Sequence, residues 1–559
     1  MRKILLIFFM CCTFVCSTFA QNVIVSGIVT DLSQGGPLPG VVILQKDGSG
    51  SAMTDDNGFY TISVPEGSTI EFSLLGMAPK EYKVTETMTL NVALEEEARE
   101  LDEVMVVAYG TTKKESFTGS AEVVKSDKLR DRSESNLTKM LDGQVAGVMT
   151  TSGSGQPGSG SGIRIRGFGS VNASSSPLIV VDGVPYDGDL STISPEDIES
   201  ISILKDASAG ALYGARGANG VLIVNTKKGK AGEESVNIRF SAKTGVASRA
   251  IPPYETVDSR EFLEHMYNAF YNDLVYKEGN LPAVAKQKTA STLAGGILGT
   301  NAIYNPFNVP VEDLFDEQGR IVEGASLKWD ENWLEAAERK FPLRQEYGFS
   351  MNGSTGKAKY TASLSYLDEN GTLETTNFRR YTARAGADFT PKDWLKYGLN
   401  LSYANTTSNY LGSAGTTNTN VWYSAMMMAP IYPVYLRNAD GSFVKKDGEK
   451  VFDYGLSRPA GAQNNKNSVA TLYDDRYNTL AGSTGLRGYL GAEWKGFSFT
   501  TNIGLDDVNT YETVSFNRHN GNAAGTGRLS KSNFRMLSYT WNQLLGYKKD
   551  FGEHNIDLT

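Results

Sequence analysis

The chain has 559 residues, which is longer than one ordinary domain, so two or three domains are expected. Its 54 Lys and Arg residues against 63 Asp and Glu residues give a net charge of −9, and this acidic balance argues against nucleic acid as a partner. The 58 Gly and 27 Tyr residues are high counts that suit many Gly-bounded strands with aromatic ends.

Residues 1–20 have the pattern of a secretory signal peptide. Arg2 and Lys3 precede the apolar run Ile4–Val15, and small residues stand at the positions that a signal peptidase reads. We therefore expect cleavage between Ala20 and Gln21. A membrane anchor is the rival interpretation, but the apolar run is too short to span a bilayer well.

The three cysteines, Cys11, Cys12 and Cys16, all lie inside this signal. A lipoprotein acylation site at Cys16 is the poorer interpretation, because Thr13–Val15 lacks the expected Leu and small residues. The mature chain is therefore expected to use neither disulfides, nor thiol chemistry, nor a Cys-ligated metal. No later segment offers about 20 consecutive apolar residues, so no transmembrane helix is predicted.

Residues 21–95 are predicted to form a β-sandwich. Short apolar runs between Val23 and Leu94 are separated by turns rich in Gly, Pro and Asp. One of these turns contains Asp55, Asp56 and Asn57, which suggests calcium as one interpretation. The spacing misses the ligand pattern of an EF-hand, so a plain hairpin turn is the better interpretation.

Residues 96–114 are predicted to be an acidic linker followed by an extended strand. The acidic run has no apolar face to bury. A strand directly after such a flexible segment can lend its backbone to the edge of another sheet, which is how β-augmentation binds a partner. The alternative is an edge strand of the next domain, and both could hold in different states. The segment consists of Asp102, Glu103, Val104, Met105, Val106, Val107, Ala108 and Tyr109.

Residues 115–232 are predicted to form a small mixed β/α domain. Its first half reads as a strand (Gly119–Val124), a helix (Leu137–Val145, capped by Ser133 or Ser135) and a strand (Gly147–Thr151). The following run Gly153–Gly158 matches G-x-G-x-x-G. A dinucleotide site needs a helix after this motif, and here a strand follows, so we interpret it as a mobile Gly-rich loop.

The second half of this domain contains two apolar strands, Leu178–Val181 and Val221–Val224. Between them one helix start is predicted. Ser194 can cap it, Pro195 suits its first turn, and Asp197 occupies the acidic position of a capping box.

Four motifs of this region resemble the plug domain of the SusC/RagA family of TonB-dependent outer-membrane transporters. They are Leu101–Lys114, Ile163–Ser170, Pro177–Pro185 and Ile198–Gly229. The first domain resembles the carboxypeptidase-regulatory-like domain that often precedes such a plug, through GIVTD, PLPGV and TDDNGFYTISVP. That name implies no peptidase activity.

The resemblance implies a plug held inside a 22-stranded barrel that is blocked until an inner-membrane energy source acts. It makes the 102–109 segment the TonB box. It also implies TonB, a SusD-like surface lipoprotein, outer-membrane lipid and a glycan or peptide ligand as partners. The location would be the outer membrane, with the N-terminal domains in the periplasm.

Residues 233–559 show two-residue alternation. In Lys359–Leu367 and Arg380–Phe389 one face is apolar with aromatic ends and the other is small, polar or charged. Short turns near residues 354–357, 391–393 and 494–496 interleave with long links near 247–341 and 405–480. This arrangement is typical of outer-membrane barrels. The first long link is predicted to contain a helix, Ser259–Leu274.

The pattern gives eight strands and a ninth that begins at Asn555–Thr559. The predicted fold class is therefore mainly β: an N-terminal sandwich, an α/β plug and the first part of a large transmembrane β-barrel. Eight strands make a barrel that its own side chains fill and that cannot enclose a domain. We therefore expect the sequence to be the N-terminal portion of a longer protein.

No catalytic, metal or cofactor site is predicted, and the protein is not expected to be an enzyme. His265, His519 and His554 are widely separated. Asp182 and Asp187 could act as paired carboxylates, but turn formation explains them better.

Several charged residues of the predicted plug need partners if they are enclosed by a barrel. Lys205, Asp206 and Arg216 are expected to pair there, and the arginines Arg164 and Arg166 are expected to meet acids on the barrel wall.

The function predicted is ligand-gated, TonB-energised import of a large nutrient, a glycan or an oligopeptide. The alternative is a surface binding or adhesion protein without transport.

Overall fold

A computed structural model describes residues 22–32, 35–46, 48, 50–74, 77–95, 104–107, 110–113, 120–130, 132–170, 172–206, 211–229, 235–410, 420–459, 466–551 and 554–558. The predicted signal peptide, its cleavage site at Ala20 and Gln21, and most of the acidic linker lie outside these residues. The described residues divide into two compact units, one within residues 1–104 and 112–117 and the other within residues 105–111 and 118–559.

The first unit contains a β-sandwich, as the sequence predicts. One sheet has the order β4-β1-β7, with β8 also pairing with β1, and the other has the order β3-β2-β5-β6. Alternate residues of the strands are buried, and they form one apolar core with Val25, Ile43, Tyr60 and Phe72 at its centre. The strands are β1 (Asn22–Asp31), β2 (Val42–Gln45), β3 (Ser51–Met53), β4 (Phe59–Pro65), β5 (Thr69–Ser73), β6 (Lys80–Lys83), β7 (Met88–Thr89) and β8 (Val92–Leu94).

The turn at Asp55 has the geometry of a hairpin. The Asp55 carboxylate accepts hydrogen bonds from the backbone N–H groups of Asn57 (2.9 Å) and Phe59 (2.8 Å), and Gly58 has φ = 72°. The carboxylate is thus used inside the turn itself, as in an Asx-turn.

Strands β9 (Val104–Val107) and β10 (Gly110–Lys113) pair with each other in a two-stranded sheet. The next domain, here called the plug, has a five-stranded sheet with the order β11-β16-β17-β14-β15 and a separate hairpin of β12 and β13. Its strands are β11 (Ala121–Lys125), β12 (Val148–Thr151), β13 (Gly162–Ile165), β14 (Leu178–Val181), β15 (Val184–Pro185), β16 (Ile198–Leu204) and β17 (Val221–Thr226).

Two helix predictions in the plug are corrected. Ser194 caps only a single 3₁₀ turn, Pro195–Asp197, without a side-chain hydrogen bond, and strand β16 begins at Ile198. The run IESISIL is rich in isoleucine, a β-branched residue that fits a pleated surface, and its isoleucines Ile198, Ile201 and Ile203 are fully buried.

The predicted helix Leu137–Val145 is shorter than expected. After α1 (Ser126–Arg130), helix α2 covers only Leu137–Met140, and its N-cap is Asn136, which accepts from the Thr138 N–H, rather than Ser133 or Ser135. Gly143 has φ = 66°, which a helix cannot accommodate. The side chains predicted to share one helix face, Leu137 to Val145, are nevertheless buried in the plug core.

The remaining long strands form one antiparallel sheet, here called the wall. Within the described residues the wall has nine strands, and neighbouring strands of the sheet follow one another in chain order. The predicted eight strands and the beginning of a ninth are confirmed. They are β18 (Ser235–Val246), β19 (Leu343–Thr355), β20 (Ala358–Asn370), β21 (Asn377–Lys392), β22 (Leu395–Asn409), β25 (Arg476–Trp494), β26 (Phe497–Phe516), β27 (Arg528–Phe551) and β28 (His554–Leu558).

The two faces of the wall have inverted polarity compared with a soluble protein. Apolar side chains such as Leu364, Leu399 and Ile503 are more than half exposed, while Arg380 and Asp506 are at most 2% exposed. A protein surrounded by water ordinarily buries the apolar face of a sheet, so this exposed apolar face is unusual for a soluble protein. Among the described residues no helix is long and apolar enough to cross a membrane.

The strand connections are unequal at the two ends of the wall. Tight turns such as Lys392–Leu395 and Trp494–Phe497 close one end. Links of very different length close the other: residues 247–342, 371–376, 410–475 and 517–527. The prediction of alternating short and long connections is confirmed, although the second long link is shorter than predicted because β22 and β25 extend further.

The two long links pack together into a loop domain, which the sequence did not predict. Trp333 donates its indole N–H to the Tyr432 carbonyl (2.8 Å), and Arg458 is buried beside Asp453 (2.8 Å) and the rings of Trp333 and Tyr432. Its helices are α3 (Ser259–Asn272), α4 (Pro282–Gly296), α5 (Trp333–Ala337), α6 (Val421–Met426) and α7 (Ser468–Asp474), with a hairpin of β23 (Lys445–Lys446) and β24 (Glu449–Lys450). Helix α3 confirms the predicted helix at Ser259.

Candidate functional site at the interface of plug and wall

The plug meets the wall through a two-residue hairpin. Val181 of β14 pairs with Val184 of β15, and the connecting residues Asp182 and Gly183 have φ = 48° and 84°. An Asp-Gly pair with positive φ at both residues is the signature of a type I′ turn. The prediction that Asp182 belongs to a tight turn is therefore confirmed.

The turn places the Asp182 carboxylate against the wall. It pairs with Arg384 of β21 (2.7 Å) and accepts hydrogen bonds from the Thr226 backbone N–H (3.0 Å) and hydroxyl (2.7 Å). Burial would by itself raise the pKa of Asp182. The positive charges of Arg384 and Lys228 and the two hydrogen bonds from Thr226 outweigh burial and hold this pKa below its ordinary value.

A second wall arginine, Arg380, binds the plug through its backbone. Its guanidinium donates to the carbonyls of Ser135 (2.8 Å) and Ser191 (2.9 Å), and its side chain is fully buried. Glu346 of β19 lies at 4.0 Å as its closest acid. Arg380 thus joins two plug segments that are distant in the sequence to one point on the wall.

A third wall arginine, Arg487 of β25, lies under the same hairpin. It pairs with Asp506 of β26 (2.8 Å) and donates to the Val181 carbonyl (3.2 Å). Nearby, the Tyr186 hydroxyl lies 3.4 Å from the Ser483 hydroxyl of the wall, and burial raises the pKa of Tyr186.

Asp197 forms a further buried contact between plug and wall. Burial raises the pKa of Asp197 above its ordinary value, against the opposing effects of a hydrogen bond from Ser363 of β20 and the charges of Arg384, Lys227 and Arg380. The neighbouring Glu196 pairs with Lys243 of β18 (3.2 Å). The interface is therefore built from polar contacts on several wall strands.

The three charged plug residues that were expected to need partners each have one within the plug. Lys205 pairs with Glu122 (2.6 Å), the Asp206 carboxylate accepts from the Ser120 N–H (2.6 Å), and Arg216 pairs with Asp187 on the surface (2.9 Å). The Lys205 side chain is largely buried, whereas the Arg216 pair is exposed.

Among the described residues, no ion pair joins Arg164 or Arg166 to an acid of the wall. Arg164 donates to Thr151 (3.1 Å) and lies over the Phe168 ring, and Arg166 is exposed. In the described contacts between plug and wall, the wall supplies the arginines and the plug supplies the acceptors, whereas the prediction had arginines on the plug and acids on the wall. The alternation of β21 already places Arg380 and Arg384 on its polar face, but nothing in the sequence names carbonyl partners about 190 to 245 residues away.

The segment predicted to bind TonB is described only in part. Val104–Val107 forms β9, which pairs with β10 rather than with the five-stranded sheet of the plug. Asp102, Glu103, Ala108 and Tyr109 lie outside the described residues. A strand in so small a sheet retains backbone groups that another strand can use.

Within the part of the chain that the structure describes, no observation supports an enzymatic activity. No group of three or more His, Cys, Asp or Glu side chains there could hold a metal ion. His265 lies on α3, and His519 stacks on Tyr454 with ring centroids 5.1 Å apart. The Gly153–Gly158 loop is followed by strand β13, which excludes the dinucleotide arrangement.

Comparison with known families agrees with the architecture. Residues 113–221 match the TonB-dependent receptor plug domain, and residues 25–106 match the CarboxypepD_reg-like domain. TonB-dependent receptor SusC of Bacteroides thetaiotaomicron is 33% identical over 426 residues, covering 75% of this chain and 37% of that protein. The chain belongs to the SusC/RagA type of TonB-dependent receptors.

Two further relatives extend this finding. TonB-dependent receptor P3 of Formosa agariphila is 30% identical over 96% of this chain and 47% of its own length. The RagAB peptide importer in its open-open state aligns with a TM-score of 0.62 and 25% identity, covering 81% of this chain and 48% of that one. The chain spans less than half the length of the curated relatives it matches. The RagAB likeness supports the wall as part of a large barrel.

Replacing Arg384 by Met is expected to loosen the plug, because it leaves the Asp182 carboxylate buried without its guanidinium partner. Breaking a buried pair in this way costs about 3 kcal/mol or more, which corresponds to roughly 100-fold faster hydrogen exchange of plug amides such as those of β17. Hydrogen exchange measured by mass spectrometry on the full-length protein checks this.

The matched control is Arg535→Met. Arg535 and Asp507 form a pair of the same type and similar length (2.8 Å), but their side chains are 61% and 34% exposed, so the expected cost is at most about 1 kcal/mol. The double variant Arg384→Met with Asp182→Asn should recover much of the protection. Equal exchange in Arg384→Met and Arg535→Met would contradict a structural role for the buried pair.

Proposed function

We propose that this chain forms the periplasmic domain, plug and first wall strands of an importer in the outer membrane. The importer takes up a glycan or an oligopeptide, draws energy from the inner-membrane complex through TonB, and acts with a SusD-like surface lipoprotein. The observation that carries the proposal is the folded plug bonded to the polar face of a sheet whose opposite face is apolar and exposed. A domain that covers this polar face is expected in a protein that lets a substrate pass along it.

The chemistry of the interface supports a plug that moves. The plug has its own apolar core, which includes Ile198, Ile201 and Val224, whereas many of its contacts to the wall are ion pairs and hydrogen bonds, beside apolar contacts such as that of Val184 with Gly504. Water can replace polar contacts at a small net cost, about 0.5–1.5 kcal/mol for a typical hydrogen bond. The plug can therefore shift against the wall more easily than it can unfold.

The proposed cycle has three steps. An external ligand binds among the loops at the end of the wall opposite the tight turns. Binding exposes the 102–109 segment on the periplasmic side, where TonB adds a strand to it. Force on that segment then remodels the plug and opens a path along the polar face.

The substrate class is proposed from two sources. The family resemblance suggests a glycan or an oligopeptide, and the RagAB relative is described as a peptide importer. The competing function is a surface binding or adhesion protein, which is favoured only by the large loop domain with its own core. An adhesin has no need of a plug.

Growth of a strain that lacks the gene tests the importer. On a panel of glycans and oligopeptides as sole carbon sources, the strain should fail on one class and grow normally on the corresponding monosaccharides or amino acids. Restored growth with the full-length gene is the control. Normal growth on the whole panel, together with lost adhesion to a surface, would favour the competing function.

A further inference from the structure

A groove of about 470 Å³ indents the exposed apolar face of the wall near its tight turns. It is lined chiefly by Trp394, Ala492, Trp494, Phe497, Phe499 and Leu545. The register explains this shared lining, because Trp494 pairs with Phe497, and Phe499 pairs with both Ala492 and Leu545. Three adjacent strands thus present one continuous apolar surface.

Two indoles form the sides of the groove. Trp394 belongs to the turn between β21 and β22 and is 55% exposed, and Trp494 ends β25 and is 70% exposed. Aromatic residues at this level of a membrane-spanning sheet lie where hydrocarbon meets headgroups. The volume lies within the range of small-molecule sites, about 300–1,000 Å³.

The rim of the groove carries a cation that is available for a headgroup. Glu493, the acid that lines the groove, is paired with Lys396. Lys495, in the turn after β25, instead lies over the Trp494 ring, with its ammonium 5.2 Å from the ring centroid. With Glu493 neutralised, Lys495 places a positive charge beside the Trp494 side of the groove.

We propose that this groove binds one acyl chain of an anionic glycerophospholipid, with the phosphate at Lys495. The inference rests on the proposed membrane location of the wall. The chain lies between the two indoles and against Phe497, Phe499 and Leu545, and the tight-turn end places the lipid in the periplasmic leaflet. A lipid held there would stabilise the two turns that carry Trp394 and Trp494.

Native mass spectrometry on the full-length protein, extracted from membranes into detergent, tests the site. The protein is incubated with dioleoyl phosphatidylglycerol or, separately, with dioleoyl phosphatidylethanolamine. Phosphatidylglycerol should be retained preferentially. The double variant Trp394→Ala with Trp494→Ala should retain about tenfold less of it, since both side walls are removed. Lys495→Gln should abolish the preference for the anionic lipid.

The matched control is Tyr539→Ala with Trp541→Ala, which removes two exposed aromatic residues of β27 on the same face (82% and 70% exposed) but outside the groove. It should retain phosphatidylglycerol like the unchanged protein. Equal retention in the two double variants would overturn the site, and so would equal retention of the two lipids by the unchanged protein. The readout does not depend on uptake, so a protein that binds this lipid but fails to import contradicts only the proposed function.

Discussion

Deletion of Leu101–Tyr109 from the full-length protein is expected to abolish import while ligand binding at the cell surface persists. The reason is that the segment supplies the strand through which TonB would pull, whereas ligand contacts would be made by loops at the other end of the wall. Described residues Val104–Val107 are already extended and pair only with β10. Uptake of labelled substrate and surface binding, measured on the same cells, check the two halves of this expectation.

A single substitution refines the test. Val106→Pro removes one backbone N–H and is incompatible with the middle of a newly formed sheet, so it should reduce import strongly without shortening the chain. The control replaces residues 95–100, the acidic run of the sequence, with Gly and Ser, which keeps the length of the chain before the segment. Unchanged uptake after the deletion would argue against an importer and for the surface binding protein.

A disulfide between residues 184 and 504 is expected to block import reversibly. Val184 lies in the plug hairpin, and Gly504 lies opposite it in β26. A Cβ added at Gly504 would be 3.2 Å from the Val184 Cβ and 2.4 Å from its Cγ1. A disulfide needs about 3.5–4.5 Å between Cβ atoms, so Val184→Cys with Gly504→Cys requires only a small shift and also removes the clashing methyl group.

The same double variant after reduction is its own control, because the two states differ only by the bond. Uptake should fall to the level of a strain without the gene under oxidising conditions and return on reduction, while the shifted gel mobility of the oxidised form confirms the bond. Val184→Cys alone should import normally in both conditions. Full import by the oxidised, cross-linked protein would show that the plug need not move away from β26.

The sequence specified the local structure of the wall well. Alternation of apolar and polar residues has a period of two that is visible over ten residues, so the faces of β21 and the number of strands followed directly. The turn at Asp182 and Gly183 was predicted equally well, because positive φ at two successive positions restricts the residue types that fit.

Local patterns misled where two structures compete for one segment. Ser194, Pro195 and Asp197 make an acceptable helix start, but the isoleucines of β16 gain more by completing a central strand of the plug sheet. The N-cap of α2 is Asn136 rather than Ser133 or Ser135. Asn136 has an extended backbone and directly precedes the first turn of the helix. Such choices depend on the neighbours that a segment packs against.

By itself, the sequence determined the order of the sandwich, plug and wall, the two faces of the strands and the tight hairpin at Asp182. These are properties of residues that are close in the chain. Only the tertiary structure showed that Arg380, Arg384 and Arg487 bind the plug. It also showed that two links more than 60 residues apart in the chain form one loop domain. Guanidinium groups can bond to any buried carbonyl or carboxylate, so their partners are selected by the folded geometry and not by residue type.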